Sequence, residues 1–439
     1  MKLRNQLLAL FCLLVFIAFG VLFFRTWVVQ KPFGIILFLS DGLSTNTLTA
    51  ARIYEGGADH RLNVERLSRL ALVNNDANDF AIPDEAASAT AIATGVKGNN
   101  RAIGVDPKGN SLESLLALAR KSGRRTGIVT TGNLTTPSTA AFYAHTTEES
   151  DVAAIAEQFM GDSGIDVALG GGLNAFTPES KGGARKDGRD LWLELRSHGY
   201  TLLRNKAELE NTPAFLTGPL VGLFADEELP FSTDVASASQ APSLSDMVRR
   251  AIEFLQTNRR GYVLVVDCAL ITKAASENQG EKVLTETIDF DRALKTAQRY
   301  AGDQTLIIAV GKQDVGGLSL NGFPLRNDHG VALLGKNPEG QPAMTWSTGP
   351  NGPVPAPTPP LPAPPELGTT PLAPEEPRPS EAEIVAADSK SKLEPAAYRS
   401  GKAIPTARDM IMVGSGPGSE AIQGFMDNTE VFDIVKKAL

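Results

Sequence analysis

Short apolar runs alternate with longer amphipathic segments along most of the chain. A nearly continuous apolar run predicts a buried strand, and apolar residues recurring every three or four positions predict a helix. The predicted strands are residues 34–40, 127–131, 165–169, 262–268, 305–310 and 410–413. The predicted helices are residues 111–123, 244–257, 283–300 and 428–439. This alternation predicts an α/β fold, a three-layer α/β/α sandwich around a mostly parallel central sheet.

Charged residues stand at the carboxyl ends of three predicted strands. They are Asp41, Asp267 and Lys312. Ligands of open α/β sheets bind outside these strand ends, so the sequence predicts a functional site there.

The N-terminus has an apolar run of its own. Lys2 and Arg4 precede 18 uninterrupted apolar or small residues, 7–24. As a helix this run spans about 27 Å, close to the thickness of a bilayer core. Residues 18–20 are a poor cleavage site, which favours an uncleaved anchor over a cleaved signal peptide. We therefore expect residues 1–31 to anchor the chain in the cell membrane by a single pass through residues 7–24. The C-terminal domain would be exported, to the periplasm or outside the cell.

Proline dominates a segment near the C-terminus, from residue 349 to about residue 379. Such a segment cannot form regular hydrogen-bonded ladders, and we expect residues 349–394 to be an inserted loop. The remaining α/β domain would consist of residues 32–348 and 395–439. The loop is interpreted either as a tolerated surface insertion or as a spacer that docks a partner.

Composition limits the classes of function. The 439 residues have a net charge of −8 and no basic run, which argues against nucleic acid as a partner. Only two cysteines are present, Cys12 and Cys268, and Cys12 lies in the apolar N-terminal run. A disulfide framework is therefore excluded.

A series of short sequence blocks runs over nearly the whole chain beyond residue 32. The blocks are residues 35–42, 49–52, 94–97, 141–145, 166–172, 222–226, 316–320, 416–418 and 427–430. In their order and spacing they resemble the alkaline phosphatase family. The resemblance implies that family's fold, two zinc ions, a magnesium site and an arginine that binds phosphate. It also implies a homodimer.

The family's catalytic serine aligns with a glutamate. Residues 83–95, Pro-Asp-Glu-Ala-Ala-Ser-Ala-Thr-Ala-Ile-Ala-Thr-Gly, resemble the family's nucleophile segment, with Glu85 at the serine position. A carboxylate can act as a nucleophile, but it brings negative charge to a site for phosphate. The arginine position is also reversed in charge, since it aligns with Glu149.

The zinc positions implied by the resemblance have lost their usual ligands. Zinc binds histidine nitrogen, cysteine sulfur or carboxylate oxygen. The aligned residues are Thr272, Ser276 and Pro405 for one zinc, and Lys312 and Gln313 for the other, together with Asp41. The chain has only four histidines, His60, His145, His198 and His329, and none aligns with a zinc ligand.

The magnesium position keeps oxygen-bearing residues. Asp41, Ser138 and Asp267 align with its ligands, and a weak magnesium or calcium site is conceivable. The alternative is a hydrogen-bonded polar remnant with no cofactor. Zinc is not expected at either of its positions.

Two substitutions of opposite charge suggest how the old site folds without ligands. Our hypothesis is that Glu85 replaces the phosphate and Lys312 replaces a metal ion. The sequence thus favours an exported, membrane-anchored homologue without phosphomonoesterase activity, which serves a binding or structural role through an unidentified partner. The alternative is an active metal-dependent phosphate ester hydrolase with Glu85 in place of the serine.

Overall fold

The computed structural model of the chain describes most of its residues. The described ranges are 2–23, 33–161, 164–215, 218–234, 240–321, 334, 340–353 and 394–439.

A ten-stranded sheet forms the centre of the fold. Its strand order is β15-β2-β14-β8-β1-β7-β3-β4-β6-β5, and all neighbours are parallel except that β14 runs antiparallel to β2 and β8. This confirms the predicted mostly parallel sheet. The strands of the described chain are β1 (Gly34–Ser40), β2 (Arg69–Asn74), β3 (Arg125–Asn133), β4 (Val167–Gly171), β5 (Thr201–Leu203), β6 (Leu220–Leu223), β7 (Tyr262–Asp267), β8 (Thr305–Gly311), β9 (Asp314–Val315), β10 (Ser319–Leu320), β11 (Met344–Gly349), β12 (Ala396–Arg399), β13 (Pro405–Thr406), β14 (Met410–Ser415) and β15 (Gly424–Asp427).

Helices cover both faces of this sheet and complete the predicted three layers. Helices α2, α9, α10 and α11 pack on one face, and helices α3, α4, α6, α7 and α12 on the other. The helices in the described residues are α1 (Lys2–Phe23), α2 (Thr45–Gly56), α3 (Glu85–Thr94), α4 (Leu115–Lys121), α5 (Pro137–Ala140), α6 (Val152–Met160), α7 (Leu191–Ser197), α8 (Lys206–Asn211), α9 (Leu244–Leu255), α10 (Ala269–Ser276), α11 (Gly280–Ala301) and α12 (Glu430–Ala438).

The central strands are buried on both faces because their side chains alternate between the two helical layers. In β1, Ile36 and Phe38 pack into the layer of α2 and α11, whereas Ile35, Leu37 and Leu39 pack into the layer of α3. All five are at most 1% exposed. The sequence of a strand that is buried on both sides is one continuous apolar run. This is the pattern from which β1 was predicted.

Two small sheets lie beside the large one. Strand β11 pairs with β10 and β12, and β13 pairs with β9. Strands β11 and β12 flank the proline-rich segment, of which residues 354–393 lie outside the described residues. The domain boundaries proposed from the sequence therefore stay a prediction.

The predicted membrane anchor, and with it the single-pass localisation, is wrong. Among the residues that the structure describes, no helix is long and apolar enough to span a bilayer.

Phe38 provides a test of the core. Its side chain is 0% exposed, and its ring packs edge-to-face on Phe290 with the centroids 5.8 Å apart. Phe38→Ala should lower the free energy of unfolding by about 3–5 kcal/mol, because it removes buried contacts and leaves a cavity. Urea unfolding measures this. Phe215→Ala is the control, since Phe215 is 80% exposed and should change stability by no more than about 0.5 kcal/mol. Equal effects of the two changes would contradict the assigned core.

Candidate functional site

Three neighbouring strands bring the charged strand ends together. Strand β1 lies between β7 and β8, with Leu39 paired to Asp267 and Ser40 paired to Gly311. Asp41 and Lys312 are the next residues after β1 and β8. The three side chains therefore meet at one edge of the sheet, as the pattern of strand ends predicted.

Lys312 is the centre of this cluster. Its ammonium nitrogen lies 2.8 Å from Asp267 Oδ1, 3.5 Å from Glu85 Oε1 and 3.6 Å from Asp41 Oδ1. It also donates a hydrogen bond to Ser138 Oγ. The side chains of Lys312 and Asp267 are 0% exposed, that of Asp41 is 1% exposed and that of Glu85 is 21% exposed. A buried charge is stable only when it is paired, and the ammonium has three carboxylate neighbours.

Glu85 reaches the cluster from the first turn of α3. Asp84 caps this helix, because its carboxylate accepts a hydrogen bond of 2.8 Å from the Ala87 amide. The helix dipole favours an anion at this end. Ser138 Oγ donates to Glu85 Oε1, so one hydroxyl connects the glutamate and the lysine.

Two hydrogen bonds fix the backbone at Lys312. Ser88 Oγ and Asn75 Nδ2 each donate to the Lys312 carbonyl oxygen at 2.7 Å. These side chains come from α3 and from the loop after β2, and both residues are buried. Sequence reasoning missed both residues, since neither occupies a position with recognisable chemistry.

Hydroxyl and amide groups satisfy the other carboxylate oxygens. Thr272 Oγ1 donates to Asp41 Oδ2, and Gln313 Nε2 lies 3.4 Å from the same atom. Thr130 Oγ1 donates to Asp267 Oδ2 at 2.9 Å. Thr272 and Gln313, which the resemblance aligns with zinc ligands, therefore act as neutral donors to Asp41.

Electrostatics keep Lys312 charged. Burial alone would lower the pKa of Lys312, but the attraction of Asp267, Asp41 and Glu85 outweighs burial and raises that pKa above its ordinary value. Burial raises the pKa of Asp41 and of Glu85, and the nearby ammonium offsets this rise only in part.

The other site residues predicted from the sequence, Ser276, Pro405 and Glu149, make their hydrogen bonds or strand pairing with residues other than Lys312. Ser276 Oγ donates to the Lys273 carbonyl, and Pro405 pairs with Val315 between β13 and β9. Glu149 is partly buried, and its amide donates to the Arg101 carbonyl. Burial, followed by repulsion from Asp84 and Glu85, raises the pKa of Glu149 to about 7.

The histidines do not complete a metal site in the part of the chain that the structure describes. His145 Nδ1 bonds to the Gly104 carbonyl and His198 Nδ1 to the Glu194 carbonyl, each at 2.8 Å. His329 lies outside the described residues. Within those residues, no three His, Cys, Asp or Glu side chains are grouped so as to hold a metal ion.

The arrangement does not fit a divalent cation. Asp41, Ser138 and Asp267, the expected magnesium ligands, do come together, but each lies next to the Lys312 ammonium. A metal ion bound by the same oxygens would stand beside a fixed positive charge, which opposes its binding. Thr272, Gln313, Ser276 and Pro405 add no imidazole, thiolate or carboxylate.

Fold and strand-end site together define a doubly wound α/β protein with a buried charged cluster at the carboxyl ends of its central strands. The sequence pattern of the alkaline phosphatase family matches residues 34–439. The chain belongs to the alkaline phosphatase family.

Sequence relatives agree with this assignment. The chain is 33% identical to alkaline phosphatase 4 of Bacillus subtilis over 70% of its length and 67% of the relative's length. It is 30% identical to the tissue-nonspecific alkaline phosphatase of Gallus gallus over 63% of its own length. The matched part spans only 62% of that chicken protein and 60% of the repressible alkaline phosphatase of Saccharomyces cerevisiae.

Solved structures show the same fold. The alkaline phosphatase of Thermus thermophilus superposes with a TM-score of 0.70 at 23% identity, over 93% of this chain and 92% of that one. The enzyme of the Antarctic bacterium TAB5 gives 0.69 at 21% identity, over 93% and 98%. A variant of the TAB5 enzyme has been solved with bound magnesium.

Removing the ammonium should destabilise the protein in a pH-dependent way. Lys312→Met should lower the free energy of unfolding by about 3–5 kcal/mol at pH 7, because it leaves buried carboxylates without a cation. Burial already raises the pKa values of Asp41 and Glu85, and the substitution raises them further. The folded variant then holds protons that the unfolded chain releases above about pH 4, so its stability falls as the pH rises. The deficit should be largest at neutral pH and shrink towards pH 4, as measured by urea unfolding.

Lys273→Met is the matched control. Lys273 pairs with Glu228 at 3.0 Å, but their side chains are 38% and 29% exposed. Its loss should cost less than about 1 kcal/mol, because water screens an exposed pair. Similar losses in the two variants at pH 7 would contradict the assigned role of Lys312.

Glu149 should destabilise the protein at alkaline pH. Its folded pKa of about 7 exceeds the ordinary value of 4.5, so its ionisation costs stability as the pH rises through this interval. Glu149→Gln should therefore have no effect at pH 4 and stabilise the protein at pH 8, by on the order of 1 kcal/mol after solvent screening. Thermal unfolding at both pH values measures this.

Glu148→Gln serves as the comparison for Glu149→Gln. Hydrogen bonds from Arg101 and Ser150 lower the pKa of Glu148. A carboxylate with a lowered pKa favours the folded state above its pKa, so this variant should not be stabilised at pH 8. Stabilisation of both variants at pH 8 would mean that general charge reduction, not the surroundings of Glu149, is responsible.

Proposed function

We propose that this chain is an alkaline phosphatase homologue that has lost phosphomonoesterase activity and serves a binding or structural role. The observation that supports this most directly is the Lys312 ammonium, within 3.6 Å of Asp41, Glu85 and Asp267. The resemblance to the family implies a metal ion in this region. A lysine supplies a positive charge there but no open coordination position for an attacking or leaving oxygen.

The charge of the surrounding groups also opposes phosphate binding. Glu85 and Glu149 occupy positions at which the resemblance implies a neutral serine and a phosphate-binding arginine. A phosphate monoester would approach two carboxylate side chains instead of a guanidinium. Loss of one transition-state contact of this kind typically costs about 3–4 kcal/mol, and the substitution here adds repulsion.

Glu85 is poorly prepared to act as a nucleophile. Its Oε1 atom accepts a hydrogen bond from Ser138 and lies 3.5 Å from the Lys312 ammonium. Both contacts reduce the availability of the electron pair that would attack phosphorus. The two contacts indicate that Glu85 is a structural carboxylate, which occupies the N-terminal end of α3, where a helix binds anions.

A second candidate function retains catalysis. The Glu85 side chain is 21% exposed, so a substrate could reach it. In that case Glu85 would act as nucleophile or base in a metal-dependent phosphate ester hydrolase. This alternative requires that Lys312 leaves the cluster when a metal ion binds.

Turnover and metal content distinguish the two functions. The full chain should hydrolyse a generic phosphate monoester no faster than the Glu85→Gln variant, with or without added zinc and magnesium. Elemental analysis of the same sample should find no stoichiometric zinc. Metal-dependent turnover that disappears in Glu85→Gln would establish the second function. Turnover that persists in Glu85→Gln would contradict both functions, because it would show hydrolysis that does not use Glu85. Hydrolysis is also to be measured for Lys312→Met.

A further inference from the structure

A segment between β6 and α9 lies across the carboxyl end of β3. It consists of residues 228–234, and we call it the strap. The Leu229 amide donates a hydrogen bond of 2.9 Å to the Thr131 carbonyl oxygen of β3. Leu229 and Phe231 are 5% and 8% exposed and pack in the core layer of α9 and α11. The strap therefore covers apolar side chains at this end of the sheet.

Helix α11 holds the strap at two consecutive residues. Glu286 Oε1 accepts a hydrogen bond of 2.6 Å from the Ser232 amide and one of 2.8 Å from the Ser232 hydroxyl. The Lys282 ammonium, one turn earlier on the same face of α11, lies 4.0 Å from the centroid of the Phe231 ring. Both hydrogen bonds end on Oε1, so a proton on Oε2 of Glu286 leaves them intact.

Glu286 is a buried carboxyl group in acidic surroundings. It is 4% exposed, and within the described residues it forms no ion pair, since its hydrogen-bond donors are the neutral groups of Ser232. Asp289 on α11 and Asp234 of the strap repel its negative charge. Cys268 faces it from the end of β7, and burial raises the pKa of that thiol, which is therefore uncharged. Burial of Glu286, opposed in part by the bonds from Ser232, raises its pKa to about 7.

Asp289 adds a second acid under the strap. It lies three residues after Glu286 on α11 and is partly buried. Burial raises the pKa of Asp289 to about 6, although the attraction of Arg292 opposes this rise and Asp246 of α9 adds to it. Lys206 pairs with Asp246 at 2.7 Å. Above about pH 7, two neighbouring negative charges therefore lie between α11 and the strap.

We propose that the strap is a pH-sensitive cover, which is closed while Glu286 is protonated and is released when Glu286 ionises. The closed strap keeps Glu286 from water, and the open strap returns it to the ordinary pKa of 4.5. The closed form thus holds a proton that the open form releases, so rising pH favours opening between about pH 4.5 and pH 7. Opening would uncover Leu229 and Phe231. The device does not involve Lys312 or Glu85, so it is independent of the proposed function.

Hydrogen exchange of the full chain, measured by mass spectrometry at pH 5.5 and pH 8, tests the proposal. After correction for the intrinsic effect of pH on exchange, the opening constant of the strap should rise at least about 10-fold between the two pH values. The Leu229 and Ser232 amides report this opening. At pH 8 the strap should also exchange faster than residues 34–40 of β1, because the opening is local. No rise in the opening constant, or exchange no faster than that of β1, would overturn the proposal.

Three variants identify the group responsible. Glu286→Gln cannot ionise but keeps an oxygen for both bonds from Ser232, so its strap should lose most of the dependence on pH. Asp289→Asn should reduce the rise, because it removes repulsion from the ionised Glu286. Glu281→Gln is the matched control, since Glu281 is an exposed residue of the same helix, and it should keep the wild-type rise. A wild-type rise in Glu286→Gln, or the loss of the rise in Glu281→Gln, would contradict the assignment to Glu286.

Discussion

The buried ammonium of Lys312 is the interaction on which the centre of this protein depends. Asp41, Asp267 and Glu85 approach from β1, β7 and α3, and three carboxylates so close together would repel one another. Each would also lose its hydration in the interior. One cation at their common centre makes the arrangement possible. The hydrogen bonds from Asn75 and Ser88 hold the backbone that presents this cation.

Much of the fold could be predicted because its central strands are buried on both faces. Strands such as β1 and β8 are continuous apolar runs. In the helices between them, apolar residues recur every three to four positions. Strands β5 and β6 have three and four residues, too few to show a period. Strand β2 was missed for another reason, since Leu70 and Leu72 are exposed and the strand lacks the usual alternation of apolar and polar residues. The N-terminal run was apolar enough to suggest a membrane anchor, but among the described residues no helix is long and apolar enough to cross a bilayer.

The chemistry of the site was predictable only in part. Strand ends indicated Asp41, Asp267 and Lys312, and the resemblance to the family drew attention to Glu85 and Ser138. The supporting residues could not be found in this way. Asn75, Ser88 and Thr130 are common polar residues in separate segments, and only the folded chain brings them within hydrogen-bonding distance of the cluster. Glu149 shows the same limit, because its raised pKa depends on Asp84 and Glu85, which are distant in sequence.

Apolar side chains of similar volume could fill the strand-end site at no loss of stability, since a buried ion pair seldom stabilises more than good packing. The charged cluster differs from such packing in its specificity, because Lys312 has to meet particular oxygens on α3, α5, β7 and the end of β1. Asn75 connects that requirement to the loop after β2, a strand that lies beyond β14 in the sheet. One ammonium therefore fixes groups from the centre of the sheet and from the segment next to its edge, which apolar packing at the same place would not do.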